Sequence, residues 1–289
     1  MTAWTAANLP SFAGRTVIVT GANSGLGEVT ARELARVGAT VILAVRNTDK
    51  GEKAAAGMPG AVEVRALDLQ SLASVRSFAE GVVQADVLVN NAGIMAVPYA
   101  ETADGFESQI GTNHLGHFAL TNLLLPKITG RVVTVSSMMH LMGRVNVKDL
   151  NYKARPYFAW PAYGQSKLAN LLFTSELQRR LDRAGSSLTA VAAHPGYSAT
   201  NLQGQTGSRL GTSFWEAGNK LFATDADFGA RQTLYAVSQD LPGDSFVGPR
   251  FLSRGPTRRV GRSPLARSAK TAAALWELSE QLTDTRFSL

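Results

Sequence analysis

The chain has 289 residues, 45% of them hydrophobic, with a formal net charge of +7 and no cysteine. That length and apolar content suit one α/β domain, or at most two small ones, with a sizeable core. The lack of thiols excludes disulfides, thiolate metal sites and a cysteine nucleophile, and it agrees with a reducing compartment.

The opening stretch MTAWTAANLPSFAGR has no basic region followed by an apolar run. No later stretch approaches the ~18 apolar residues that cross a bilayer, so a cytoplasmic protein with no integral membrane segment is expected. The charge excess is local. Arg250, Arg254, Arg258, Arg259, Arg262, Arg267 and Lys270 fall in a segment without an acidic residue, and these seven account for the whole net charge. A general nucleic-acid-binding surface is therefore not expected. The segment reads as a solvated loop before a C-terminal helix over 265–282, the alternative being a surface that attracts anionic lipids or an anionic substrate.

Short β-branched apolar runs recur at 16–20, 40–45, 62–66, 87–90, 131–136 and 188–193, each fitting a buried strand. Helical patterns lie between them at 25–37, closed by Gly38, then at 71–84 and 162–181. This alternation predicts an α/β fold, a doubly wound parallel sheet with helices on both faces. A single dinucleotide-binding and catalytic domain over 1–289 is expected, with a substrate-loop region at about 201–224 and a C-terminal extension at about 250–289.

Where the first strand meets the first helix the sequence runs Thr20-Gly21-Ala22-Asn23-Ser24-Gly25-Leu26-Gly27. Glycines at such a turn let the backbone approach a pyrophosphate, and the helix N-terminus offers free N–H groups and a positive dipole end. The spacing is G-x-x-x-G-x-G, and glycine at a strand-to-helix turn also serves steric needs alone. Strand two leads into Arg46-Asn47. A cation there suits the 2′-phosphate of NADP(H), whereas an acidic residue would suit the ribose hydroxyl of NAD(H), so NADP(H) is favoured. Asp68-Leu69 and Asn90-Asn91-Ala92-Gly93 follow strands three and four at the carboxyl edge of the sheet, where ligands bind; both are also ordinary turn chemistry.

Tyr163-Gly-Gln-Ser-Lys167 places a phenol and an ammonium on one helix face, with Ser136-Ser137 at the end of strand five. A nearby cation lowers a tyrosine pKa from ~10 towards the range of a working acid and base. A serine hydroxyl can hold a substrate oxygen where charge develops.

Taken in order, Thr20 to Gly27, Asn90 to Gly93, Ser137, and Tyr163 with Lys167 resemble the short-chain dehydrogenase/reductase family, over about residues 15–248. The resemblance implies a Rossmann-type sheet, a nicotinamide cofactor and an Asn-Ser-Tyr-Lys group: Asn113, holding a water that links Lys167 to solvent, then Ser137, Tyr163 and Lys167. It implies cofactor contacts at Gly21, Asn23, Ser24, Gly25, Leu26, Gly27, Arg46, Asn47, Asp68, Leu69, Asn90, Ala92, Gly93, Tyr163 and Lys167. Pro195-Gly196 matches the turn beside the nicotinamide, and Thr200 a contact to carboxamide or phosphate. Val41 to Asn47, Tyr163 to Phe173 and His194-Pro195-Gly196 look like the retinol-dehydrogenase-like branch, which prefers NADP and apolar carbonyls or alcohols. A homodimer or homotetramer through the helix of Tyr163 is one expectation, a monomer capped by the C-terminal extension the other. A nucleotide-binding sensor or scaffold without turnover is the alternative function.

The 26 positions from Ser137 to Tyr163 hold Met138, Met139, His140, Leu141, Met142, Tyr152, Tyr157, Phe158 and Trp160. They read as substrate-pocket wall or as a satellite core under a loop. The stretch 201–224 reads as an apolar-faced lid over the substrate, or as an oligomer contact or packed helix. His114 and His117 lack a third ligand in the pattern, so no metal is expected. His140 reads as a polar loop residue near Ser137, the alternative being a contact to substrate.

Overall fold

A computed structural model describes residues 4–196 and 226–289. The predicted lid, 201–224, and Thr200 lie outside the described residues. Strands β1 (Thr16–Thr20), β2 (Thr40–Val45), β3 (Val62–Ala66), β4 (Ala85–Asn90), β5 (Ile128–Val135), β6 (Thr189–Ala193), β7 (Phe246–Phe251) and β8 (Arg254–Arg259) form one sheet of order β3-β2-β1-β4-β5-β6-β7-β8. Every pairing is parallel except β7 with β8. Strand order reverses between β1 and β4, and a crevice opens there beyond the strand ends.

The strands read as continuous apolar runs because both faces are covered. Val17, Val19, Val41, Leu43 and Val89 pack into one core layer, while Ile18, Ile42, Ala44, Leu88 and Val132 pack into the other. Helices α1 (Gly25–Arg36), α2 (Thr48–Ala55), α3 (Leu72–Glu80), α4 (Ser108–Ile110), α5 (Gly116–Leu124), α6 (Ala159–Arg183), α7 (Ala226–Ser238) and α8 (Ala269–Thr283) supply the covering layers, with a π turn at Gly111–Leu115 joining α4 to α5. Among the described residues no helix is long and apolar enough to cross a membrane.

Several boundaries differ from those predicted. Helix α3 stops at Glu80, with Gly81 as its C-cap. Helix α2 was not predicted; its sequence is polar and contains Gly51, which is buried against Val45 and Val64 where a Cβ would find no room. The basic segment is less of a solvated loop than expected. Its first part forms β8 and the end of β7, and the Arg262 side chain is 9% exposed. The C-terminal helix begins later than expected, at Ala269, because Ser268 caps it by accepting from Thr271 N at 3.2 Å.

Helix α8 packs across α5 and α6. Trp276 stacks on Phe173 at 5.7 Å, meets Phe118 edge-on at 4.9 Å and lies under the Arg180 guanidinium at 4.6 Å. With the sheet on its other side, α6 is buried without a break from Ala162 to Gln178.

Candidate active site

The glycine turn is a steric necessity as well as a cradle. Gly21 has φ +65°, and a Cβ on it would lie 2.9 Å from Ala92 Cα; one on Gly27 would lie 2.5 Å from both Gly21 O and Asn91 Nδ2. Thr20 joins the two loops: its Oγ1 accepts from Asn91 N and Ala92 N, each at 2.9 Å, and its carbonyl accepts from Asn91 Nδ2 at 2.8 Å. The first N–H groups of a helix have no partner within it. Those of α1 open on the cleft that Ser24 to Gly27 line.

That cleft has a volume of about 390 Å³ and runs along the carboxyl edge of the sheet. Arg46, Asn47, Lys50, Asp68 and Leu69 line it beyond the ends of β2 and β3, on one side of the glycine turn, and Ala92, Gly93, Tyr163, Lys167 and Pro195 line the other. Lys50 was missed in the sequence because α2 was missed. Asn47 caps that helix, its Oδ1 accepting from Lys50 N at 2.8 Å, and so fixes where Lys50 starts. Asp68 Oδ1 accepts from Gln70 N at 2.9 Å. Asn90 sits behind the wall with its amide donating to Thr121 Oγ1 at 2.9 Å, and the neighbouring Asn91 lines the cleft instead. Gly196, at φ +77°, is turned against Ser253 of the β7–β8 hairpin, whose carbonyl would be 2.8 Å from an added Cβ.

At the far end, α6 brings Tyr163 and Lys167 to one face, with Lys167 Nζ 5.7 Å from the Tyr163 ring centre. Both are buried. Lys167 Nζ donates to Val135 O at 3.2 Å and its carbonyl accepts from Ser136 Oγ at 2.7 Å, so the end of β5 holds the lysine at both ends. Asn113, in the π turn, is fully buried. Its Oδ1 accepts from Ile94 N at 2.8 Å, while its Nδ2 donates to Ile94 O and to Ser166 Oγ, both at 2.9 Å.

Burial acts against the lowering expected for the phenol. It pushes the Tyr163 pKa up to about 12, with a hydrogen bond from Ser137 pulling the other way. Burial also pushes the Lys167 ammonium down to about 8. A desolvated site penalises both charged forms at once.

Of the two roles expected between Ser137 and Tyr163, the contacts of Tyr152 and Tyr157 fit the satellite core, and none of the named side chains lines the cleft. Tyr157 OH donates to Val97 O at 2.8 Å and accepts from Gln109 Nε2 at 2.7 Å, and the Arg155 guanidinium lies 3.8 Å over the Tyr152 ring, so these two tyrosines pack the loop. Trp160 meets the Tyr163 ring edge-on at 6.3 Å. Burial pushes His114 down to about 3 and His117 and His194 to about 4. The described residues hold no group of three side chains able to bind a metal ion.

The model of the short chain dehydrogenase family matches residues 15–211. Human retinol dehydrogenase 13 is 42% identical over 93% of this chain and 84% of its own. A crystal structure of a protein from Mycobacterium Paratuberculosis is 70% identical, covers 100% of both chains and superposes with a TM-score of 0.91. A short chain dehydrogenase from Burkholderia cenocepacia J2315 in complex with NADP shares the fold at 20% identity and TM-score 0.63, over 82% of this chain and 96% of its own. The chain belongs to the short-chain dehydrogenase/reductase family. Within it the retinol dehydrogenase relatives mark the retinol-dehydrogenase-like branch, and the chain is a carbonyl/alcohol oxidoreductase of a fold whose neighbours bind NADP or NAD.

Proposed function

We propose that the protein is an NADP(H)-dependent enzyme that interconverts an apolar carbonyl compound and its alcohol, with Tyr163 as general acid and base. The observation that carries this reading is the meeting of Tyr163 and Lys167 with the glycine turn and Arg46 on a single cleft. The residues fit a dinucleotide. The turn is open where any Cβ would fill it, and two cations, Arg46 and Lys50, line the end where an adenosine 2′-phosphate belongs.

When bound, the nicotinamide gives or takes the hydride. In the reducing direction the Tyr163 hydroxyl donates its proton to the carbonyl oxygen, and the Ser137 hydroxyl holds that oxygen as charge builds on it. Lys167, charged, offsets the phenolate that Tyr163 becomes. Asn113 fixes Ile94, and with it the chain that passes Lys167 at Gly93. Pro195 and Ile94 line the cleft with Tyr163, and the retinol dehydrogenase relatives point the same way, which favours a substrate with an apolar body.

Calorimetric titration with NADPH and NADH, on wild type and Arg46→Ala, tests the cofactor. Oxidation of NADPH against medium-chain aldehydes, on wild type and Tyr163→Phe, tests the chemistry. Tighter NADPH binding that Arg46→Ala abolishes, with turnover lost by about 10²–10⁴-fold in Tyr163→Phe, is expected. Binding without turnover of any carbonyl would favour a nucleotide-binding protein of the same fold.

A further inference from the structure

His140 belongs neither to the cleft wall nor to a metal site, yet both of its ring nitrogens are engaged and it is 3% exposed. Nδ1 lies 2.7 Å from the carbonyl oxygen of Ser137, and Nε2 lies 3.3 Å from the backbone nitrogen of Ser263. A carbonyl can only accept and a backbone N–H can only donate. The neutral ring with its proton on Nδ1 is therefore the one form that satisfies both partners. We infer that His140 is a positioning residue, a neutral imidazole that fixes Ser137 against Tyr163 by tying it to the C-terminal segment. The inference rests on the reaction proposed above.

Further contacts on both sides of the ring make this a rigid connection. Ser137 begins the 3-10 turn Met138–Leu141, its Oγ accepting from Met139 N at 3.2 Å, so the hydroxyl keeps its own proton to give elsewhere. The same turn lies directly on α6: a Cβ on Gly164, the residue after Tyr163, would be 2.9 Å from Met139 O. Ser263, on the far side of His140, follows Arg262, whose guanidinium bonds Ser175 Oγ and Asp244 Oδ1 at 2.7 Å each and also reaches Asp244 O. Val260 N donates to Phe246 O at 2.8 Å, which ties the segment to β7. His140 is thus the link between a clamped C-terminal segment and the serine beside the phenol. Burial and the Arg262 charge both favour its neutral form, and the neighbouring His194 is itself held neutral by burial.

The test uses long-range proton–nitrogen NMR on the full chain with NADP⁺, together with NADPH and decanal as kinetic probes on His140→Phe and His140→Asn. Asparagine keeps a donor near the Nδ1 position and phenylalanine keeps only the ring shape. The expected results are an Nδ1–H tautomer for His140, a kcat lowered by about 10²-fold in His140→Phe with NADPH affinity held, and substantial recovery in His140→Asn. An Nε2–H tautomer, an unchanged kcat in His140→Phe, or an asparagine variant no better than phenylalanine would overturn the inference. Should the wild type turn over no apolar carbonyl, the proposed function fails, and the tautomer alone still decides the link.

Discussion

Gly93 and Asn113 are in contact: a methyl group on residue 93 would lie 2.9 Å from Asn113 Oδ1 and 3.5 Å from Lys167 Nζ. The loop after β4 therefore passes the amide and the ammonium with only a hydrogen atom between. Gly93→Ala is expected to push Asn113 off Ile94 and to displace Lys167. Turnover should fall well beyond the overpacking cost of about 1–3 kcal/mol in stability. Thermal unfolding and NADPH oxidation on the same preparation check this; a variant that keeps full turnover would show that the contact is only packing.

The ammonium titrates within the working range and the phenol well above it. Carbonyl reduction needs Tyr163 protonated, which a pKa near 12 secures throughout, and Lys167 charged, which a pKa near 8 does not. The kcat/KM for reduction is expected to be level below about pH 8 and to fall as pH rises through that value. A profile flat to pH 10 would show that the lysine charge plays no part in the step.

Arg46 and Lys50 should contribute unequally to the preference for NADPH. The guanidinium is able to grip a phosphate with two N–H groups, and its loss should weaken NADPH binding by about 1.5–3 kcal/mol. Lys50 offers a point charge without that fork, so Lys50→Ala should cost less; both side chains are exposed, so both effects should shrink with added salt. NADH affinity should hold in both. Equal losses for the two nucleotides would place these side chains away from the 2′-phosphate.

Acid should unfold the protein through its buried imidazoles. His114, His117 and His194 have folded pKa values of about 3 to 4, below their ordinary value of 6.5. Their neutral forms therefore carry no penalty above about pH 6.5, and stability is lost as pH falls from there towards the folded values. Each of them contributes a slope of about 1.4 kcal/mol per pH unit within that window. Glu107, whose pKa burial raises, opposes this trend. Urea unfolding between pH 7 and 5 measures the slope, and His114→Phe should flatten it.

The sheet and the glycine turn could be read in the sequence because strands buried on both faces carry unbroken apolar runs and because Gly21 and Gly27 occupy positions where no Cβ fits. Tyr163 and Lys167 could be read because four residues make one helical turn. Other features left weaker marks. Helix α2 is polar, and its buried Gly51 looks like a turn residue until Val45 and Val64 are seen against it. Strand β8 was hidden by arginines and Pro256, since an edge strand needs no apolar alternation. The spacing of Tyr163 and Lys167 reports the distance between two charges and not the loss of water around them, so the effect of burial on both groups has no mark in the sequence. Asn113 could be located from its motif, but its three partners on Ile94 and Ser166 come from chain crossings that no local pattern encodes.

The arginines of β8 and the burial of α6 bear on how copies of the chain meet. Two β8 strands paired about a two-fold axis would set Arg254 opposite Arg258 or Arg259, and Pro256 has no N–H to complete the ladder. The broad helical face that could take over is already occupied along α6 by the chain's own Trp276 and its neighbours. Among the described residues, pairing is disfavoured at the β8 edge by charge and along α6 by occupancy, and on that basis the protein is expected to sediment as a single chain of 30.7 kDa, a faster-sedimenting dimer counting against it.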